Sequence, residues 1–235
     1  MKIHIGANLF PQHKSRIFRN YELTEIKPFY ETKPHQKTLK KWRTESAKDF
    51  RFIIPAPLAL TDPEWKPGKT SSWKTGAQGF TPGTEMEYIW KMLHKTAGIL
   101  RSHTFVFVTP STFRPTQINI NKLTDFFKNH DRKNVKMVWE PHGLWDKSTI
   151  LEIADNLDLY LSSDPVSAEF IAQPAKFRFF RINNFRSGGK LNSDDFYKIY
   201  EAAQDSKRTF VLFSSPLALK NAKSFQDFIK NELYL

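Results

Sequence analysis

Short runs of β-branched, aromatic and other apolar residues recur along the whole chain at the length of a β-strand. Eight such runs stand out, and they cover residues 2–6, 22–27, 50–56, 104–109, 135–140, 157–161, 177–182 and 209–213. Segments of helical period separate most of them, which favours parallel strands joined by helical crossovers. Because eight parallel strands close a barrel, the pattern predicts an α/β fold of the TIM-like (β/α)8 type.

Apolar residues three or four positions apart mark the helices between these strands. The clearest case is 85–100, where Met86, Ile89, Trp90 and Leu93 share one helical face. Further helices are predicted over 35–46, around 123–127, and over 148–156, 193–204 and 224–233. Two segments are weak: 11–20 predicts a loop or a single turn, and 166–172 only a short helix.

One connection is much longer than the usual link between a strand and a helix. Residues 62–83, after the third predicted strand, are rich in Pro, Gly, Lys and Thr and include Trp65 and Trp73. Loops of this length in a compact domain are commonly lids or disordered segments. We therefore expect a lid or a disordered loop on the face where the strands end.

Size and composition are consistent with one large barrel domain over residues 1–235. The chain has 36 Lys and Arg against 24 Asp and Glu, a net charge of +12, and no cysteine. The absence of cysteine excludes disulfides, thiolate metal sites and a cysteine nucleophile. The positive charge suits an anionic ligand, although a solvated basic surface explains it equally well.

No targeting or membrane segment is expected. The first ten residues contain one Lys followed by polar and apolar residues in mixture, unlike a signal peptide. No stretch approaches the roughly 20 apolar residues that span a bilayer. We therefore expect a cytoplasmic protein without a membrane partner.

Three ionisable residues lie in or at the ends of predicted strands: Glu25, Glu140 and Arg181. Charged groups there either line the mouth of the barrel or pair inside it, since they are rarely buried alone. One hypothesis makes Glu25 and Glu140 general acid and base, with Arg181 orienting an anionic group. The alternative is a structural ion pair that seals the barrel.

The residues after the fifth and sixth strands add further candidates. Glu140, His142 and Asp164 have the chemistry of ligands for a divalent cation, but their spacing is not diagnostic, so a divalent metal is not favoured. Tyr30 and Trp145 are the predicted aromatic walls for a sugar ring. A plain packing role for these aromatics is the alternative in a chain with 21 Phe.

The segment after the seventh strand resembles an anion site. Asn183 begins it, Gly188 and Gly189 allow backbone amides to turn toward a phosphate, and Arg186 and Lys190 add positive charge. Ser214, after the eighth strand, supplies a hydroxyl, and barrels often bind phosphate beside strands seven and eight. A flexible glycine connection remains the alternative.

A second class of function is a basic nucleic-acid-binding module without catalytic activity. Cations gather on or before the predicted second helix, and they are Lys33, Lys37, Lys40, Lys41 and Arg43. No nucleic-acid motif accompanies them. A solvated outer face of a barrel helix explains the same pattern.

Several fragments together resemble the domain-of-unknown-function family 72 (DUF72), the YecE-like proteins. They include IGA at 5–7, TEIKPFY at 24–30, LKKW at 39–42, WEPHGLW at 139–145, SDP at 163–165, FRIN at 180–183 and FVLFSS at 210–215. The fragments follow the family's order from end to end. The resemblance implies a TIM-like barrel and a relation to sugar isomerases, but no defined activity.

The sequence departs from the family pattern at positions near the strand ends. Pro55 replaces a usual lysine, His142 alone stands for an arginine and a histidine, and Asn183 replaces a histidine. Ser214 and Ser215 replace an asparagine pair. The resemblance therefore assigns no activity, and we expect a small anionic or sugar-like ligand, with isomerase-related or hydrolytic chemistry, at the carboxyl ends of the strands.

Overall fold

The computed structural model describes residues 1–8, 12–33, 35–183 and 186–232. Its strands are β1 (Ile3–Ala7), β2 (Leu23–Glu25), β3 (Arg51–Pro55), β4 (Thr104–Thr109), β5 (Lys136–Pro141), β6 (Tyr160–Ser163), β7 (Phe177–Ile182) and β8 (Arg208–Phe213). They follow one another in chain order around a closed barrel. The pairs whose register is defined are parallel, including β1 with β8. The predicted barrel is confirmed.

The helices within the described residues are α1 (Lys14–Asn20), α2 (Gln36–Glu45), α3 (Leu58–Thr61), α4 (Thr84–Leu100), α5 (Gln117–Asn129), α6 (Lys147–Asn156), α7 (Ser193–Gln204) and α8 (Ala218–Glu232). Two short 3-10 turns cover Lys27–Tyr30 and Arg186–Gly189. None of the helices in this part of the chain combines the length and apolar character needed to cross a bilayer.

Three predictions need correction. The weak first segment forms a helix, α1, because Ile17 and Phe18 are buried and Phe18 packs edge-on against Phe50 at 5.1 Å. Residues 166–172 form turns instead of a short helix. Strand β6 begins three residues later than predicted, since Leu157 closes α6 by donating its amide to the Ile153 carbonyl.

The contacts divide the chain into two compact units. The first unit comprises Met1–Glu25, Asp49–Arg51 and Tyr160–Leu235, and the second comprises Ile26–Lys48 and Phe52–Leu159. The first unit therefore contains β1, β2, β6, β7 and β8, and the second contains β4, β5 and β3 without its first residue, Arg51. The single domain inferred from the sequence stays a prediction.

In the first unit, β1 and β2 approach each other very closely at Gly6. A Cβ atom at this position would lie 2.0 Å from the carbonyl oxygen of Leu23, which is a backbone atom. Only glycine fits there without moving one of the two strands. This close approach fixes β2, and with it Glu25, beside the rest of the sheet.

The core of the second unit is built from aromatic rings. Phe80 packs on Phe113 at 5.5 Å and on Phe126 at 5.0 Å, while Trp90 packs edge-on against Phe105 and Phe126. Edge-to-face packing of this kind is favourable beyond the area that it buries. The Phe-rich composition therefore serves mainly the core.

The long segment 62–83 is folded onto the second unit. Trp65, Trp73 and Phe80 are buried, and the indole of Trp73 donates to the Phe29 carbonyl at 3.3 Å. The amides of Gln78 and Phe80 bond the carbonyls of Ala59 and Leu60. The expectation of a disordered loop is wrong, because its aromatic residues complete the core.

Candidate functional site

Polar residues stand at the carboxyl end of each strand of the first unit. They are Asn8 after β1, Glu25 at the end of β2, Asp164 after β6, Asn183 after β7 and Ser214 after β8. In the register, Phe213 lies opposite both Ala7 and Ile182, so the residues that follow all three leave the sheet at one edge. This edge is where ligands bind in parallel barrels.

Glu25 and Arg181 form a buried, two-pronged ion pair across the first unit. The two terminal nitrogens of Arg181 donate to the two carboxylate oxygens of Glu25 at 2.8 and 2.6 Å, and Glu25 is fully buried. Strands β8 and β1 lie between β7 and β2. With neighbouring strands about 4.8 Å apart, these side chains meet only because the sheet curves and both point to its inner face.

The rim of the same sheet carries a second hydrogen bond between strands. The amide nitrogen of the Asn8 side chain donates to the hydroxyl of Ser214 at 2.9 Å. The Ser214 side chain is partly exposed, whereas Asn8 is buried. The serine hydroxyl therefore reaches solvent from a fixed orientation.

Asp164 organises the backbone at the ends of β6 and β7. One carboxylate oxygen accepts from the Val166 amide and the other from the Asn183 amide, each at 3.0 Å. A carboxylate held by backbone amides is firmly oriented. Its side chain holds Asn183 at the rim.

The glycine-containing turn after β7 is anchored by a residue that the sequence did not indicate. The side-chain amide of Asn221, on α8, donates to the Gly189 carbonyl at 2.6 Å and to the Ser215 hydroxyl at 3.2 Å. Gly188 and Gly189 have φ values of 67° and 82°, in the left-handed region. The turn thus has a defined shape, so the alternative of a merely flexible connection loses support.

Two cations, Arg186 and Lys190, were predicted for this turn. Lys190 is exposed. The Arg186 side chain lies outside the described residues, although its backbone belongs to the Arg186–Gly189 turn.

The sequence did not indicate Asn8 or Asn221. Asn8 is a polar residue at a strand end, which is the signal that identified Glu140. Asn221 lies in α8, whose predicted start was six residues too late, so the segment around it was not predicted as part of a helix.

The second unit holds the other predicted carboxylate. Glu140 lies near the end of β5, is 7% exposed, and its Oε1 is hydrogen-bonded to the imidazole Nε2 of His142 at 3.2 Å. The His142 side chain is 49% exposed. This pair combines a buried carboxylate with an imidazole open to solvent.

The predicted aromatic walls are also in the second unit. Trp145 is partly buried; its indole nitrogen donates to the Phe113 carbonyl at 3.1 Å and its ring lies edge-on to Trp139 at 5.3 Å. Tyr30, in the Lys27–Tyr30 turn, is likewise partly buried. Both rings keep an exposed portion, but Trp65 and Trp73 are buried and offer no stacking surface.

Neither the metal nor the nucleic-acid hypothesis gains support. Within residues 1–8, 12–33, 35–183 and 186–232, no three His, Asp or Glu side chains come together as metal ligands. Two of the predicted nucleic-acid cations are engaged: Lys33 lies 4.6 Å from the rings of Trp73 and Tyr88, and Arg43 donates to the Leu100 carbonyl. The other three, Lys37, Lys40 and Lys41, are exposed on α2.

Comparison with known proteins identifies the fold. No protein-family model and no curated protein matches the chain. A DUF72 family protein from Enterococcus faecalis V583 matches with a TM-score of 0.73 and 17% identity over 97% of both chains. A DUF72 family protein from Thermotoga maritima MSB8 matches with a TM-score of 0.70 and 17% identity, over 98% of this chain and 100% of the other.

A xylose isomerase domain containing protein from Salmonella typhimurium LT2 is more distant. Its TM-score is 0.51 at 9% identity, over 95% of this chain and 89% of that one. At these identities the matches show the fold alone. The chain therefore has the barrel fold of DUF72 proteins, and the resemblance seen in the sequence is confirmed at that level.

Proposed function

We propose that the protein binds a small anionic or sugar-like molecule at the carboxyl ends of β1, β2, β6, β7 and β8. The observation that carries this proposal is the rim of oriented polar side chains in the first unit. The Asn8 side chain donates to the Ser214 hydroxyl, and the Asp164 carboxylate accepts from the Asn183 amide. Each bond joins residues that follow different strands and fixes their positions. Rigid positioning of this kind lowers the entropy lost when a ligand is bound.

The chemistry of the rim suits hydroxyl and anionic groups. Asn183 and Ser214 supply neutral donors and acceptors that match sugar hydroxyls. Lys190 supplies a positive charge beside the shaped turn at Gly188 and Gly189, whose backbone adopts the left-handed conformation found in anion-binding loops. A sugar phosphate would use both sets of groups.

Fold comparison adds weaker support. Ligands of TIM-like barrels bind at the carboxyl ends of the strands. One fold relative carries the description xylose isomerase domain containing protein, which favours a sugar-like ligand. This is an argument by analogy of fold, so the side chains of the rim carry the proposal.

If the protein is an enzyme, Glu140 fits a general acid or base better than Glu25. Both carboxylate oxygens of Glu25 already accept from Arg181. Glu140 shares a hydrogen bond with His142, and imidazole is the side chain that exchanges protons near neutral pH. An isomerase-related or hydrolytic reaction would require such a group.

The test is a calorimetric titration of the whole chain with D-xylose, with ribose 5-phosphate and with inorganic phosphate. Asn183→Ala and Ser214→Ala should each weaken binding of the ligand about three- to tenfold, the effect of one lost hydrogen bond. Lys41→Met, on the exposed face of α2 and outside the rim, is the control variant. Equal affinity of both rim variants and the parent protein would refute the proposal.

A further inference from the structure

The amino ends of three neighbouring strands in the first unit carry a cluster of cations. Lys2 precedes β1, Lys176 precedes β7, and Lys207 and Arg208 stand at the start of β8; all four are exposed. The backbone joins them directly, because the Arg208 amide bonds the Lys176 carbonyl at 3.2 Å and the Lys2 amide bonds the Lys207 carbonyl at 3.1 Å. We call these four residues the amino-end cluster.

The register brings the members of the amino-end cluster side by side. Phe177 lies opposite Arg208, so the preceding residues Lys176 and Lys207 are neighbours on adjacent strands. Ile3 lies opposite Thr209, which places Lys2 beside Arg208. Neighbouring strands are about 4.8 Å apart, so like charges stand close enough to repel one another.

No carboxylate of the described residues forms an ion pair with the amino-end cluster, and Asp205 is the one carboxylate in the lining of an adjoining hollow. By contrast, Lys41 and Lys223 each have an acidic partner four residues further along their helices. An anion bound at the cluster would remove a repulsion that the protein itself leaves in place.

A surface hollow of about 630 Å³ adjoins the cluster. It is lined by Ala172, Pro174, Ala175, Lys176, Arg178, Asp205 and Lys207. Its volume falls in the range of small-molecule sites. Its lining therefore combines three small apolar residues with three cations and a single carboxylate.

Arg178 is poised to take part. One terminal nitrogen donates to the Ala202 carbonyl, and the other lies 3.8 Å from Asp205, whose side chain is 80% exposed. The Asp205 carboxylate is exposed and this contact is long, so it contributes little, although the Arg178 side chain itself is only 11% exposed. An incoming phosphate can therefore accept from the same guanidinium without breaking the bond to Ala202.

We propose that the hollow beside Lys176, Arg178 and Lys207 is a second ligand site, which takes a small organic phosphate with an apolar body. The cations bind the phosphate, and Ala172, Pro174 and Ala175 cover the organic part. A nucleic acid would use the charges but has no need of a hollow with apolar lining residues. The small molecule is therefore the favoured occupant.

Phenyl phosphate is a suitable probe because it combines a phosphate monoester with an apolar ring. Calorimetric titration into the whole protein should show saturable binding, and Lys176→Met with Lys207→Met should weaken it about tenfold or more, since two charge-assisted contacts are lost. Inorganic phosphate should bind more weakly than phenyl phosphate because it leaves the apolar lining residues uncovered. Both lysines are exposed and their removal relieves repulsion between like charges, so the melting temperature should not fall.

Matched variants at the other end of the strands separate this site from the rim. Asn183→Ala and Ser214→Ala should leave the affinity for phenyl phosphate within about twofold, because a residue that does not touch the ligand contributes little. The proposal is overturned if phenyl phosphate does not bind, if the lysine variant binds it normally, or if the rim variants abolish binding. Tighter, steeply salt-dependent binding of a short oligonucleotide at the same lysines would also overturn it.

Discussion

Glu25 and Glu140 stand at the carboxyl ends of β2 and β5, and the sequence gives no reason to treat them differently. In the first unit, a guanidinium covers both carboxylate oxygens of Glu25, which is fully buried. In the second unit, Glu140 faces an imidazole that is half exposed. A guanidinium stays charged at all ordinary pH values, whereas an imidazole exchanges protons near neutrality.

The difference teaches that equivalent strand-end carboxylates can have different partners, a guanidinium for Glu25 and an imidazole for Glu140. Removing the cation from a buried pair leaves an uncompensated charge, which strongly destabilises the fold. A carboxylate beside an accessible imidazole can pass a proton to or from a bound molecule. Substitutions should therefore affect stability in the first case and mainly activity in the second.

The largest expected effect comes from Arg181→Met. It removes the guanidinium from a carboxylate that has no access to water, and breaking a buried pair in this way costs about 3–5 kcal/mol. Urea unfolding followed by circular dichroism measures the loss. Because a methionine of similar length keeps much of the packing, the loss reports mainly on the charge.

Two further variants make this prediction decisive. Replacing both partners, as Glu25→Leu with Arg181→Met, should recover most of the lost stability, since apolar residues of similar size often replace a buried ion pair without loss. Arg178→Met, on the same strand, should cost about 1 kcal/mol, because its carboxylate partner is exposed. Equal losses for Arg178→Met and Arg181→Met would show that the buried pair has no special role.

The strands were predictable because buried parallel strands consist of continuous apolar runs. Phe177–Ile182 and Thr104–Thr109 were predicted to the residue. The start of β6 was misplaced because Leu157 and Leu159 are as apolar as strand residues, yet they close α6 and precede the strand. An apolar run alone does not distinguish a buried helix end from a buried strand.

The ion pair was anticipated only as an alternative. Glu25 and Arg181 are 156 residues apart, and their meeting depends on how strongly the sheet curves, which no local pattern specifies. The long segment 62–83 shows the reverse problem: its Gly and Pro content suggested a loose loop, but Trp65, Trp73 and Phe80 bury it. A few large apolar residues outweighed the composition of the whole segment.

His94, in the second unit, is an ionisable group in a third kind of environment, different from those of Glu25 and Glu140. Its Nε2 is buried without a hydrogen-bond partner among the described residues, and its ring packs on Trp90 at 4.5 Å and Phe105 at 5.2 Å. Burial lowers the pKa of His94 below its ordinary value of 6.5, and the charges of Lys133 and His130 act in the same direction, against that of Asp131.

The pH dependence follows from this lowered pKa. The unfolded chain binds a proton at His94 more readily than the folded protein does, so acid favours unfolding. The part of the free energy of unfolding that depends on His94 should be fully present above pH 6.5. It should decline as the pH falls below 6.5 and passes through the lowered pKa of His94. His94→Phe keeps an aromatic ring, and its unfolding free energy should decline less between pH 7 and 5. Identical slopes for the two proteins would contradict the prediction.

The smallest effect on stability is expected for Glu140→Gln. Glutamine keeps the size of the side chain and an oxygen that accepts from His142, so the unfolding free energy should change by less than about 1 kcal/mol. Turnover of any substrate found for the protein should nevertheless be abolished, because an amide does not exchange a proton as a carboxylate does. His142→Gln serves as the companion variant that tests the imidazole. A loss of stability as large as that of Arg181→Met would instead make Glu140 a structural residue, and the contrast with Glu25 would disappear.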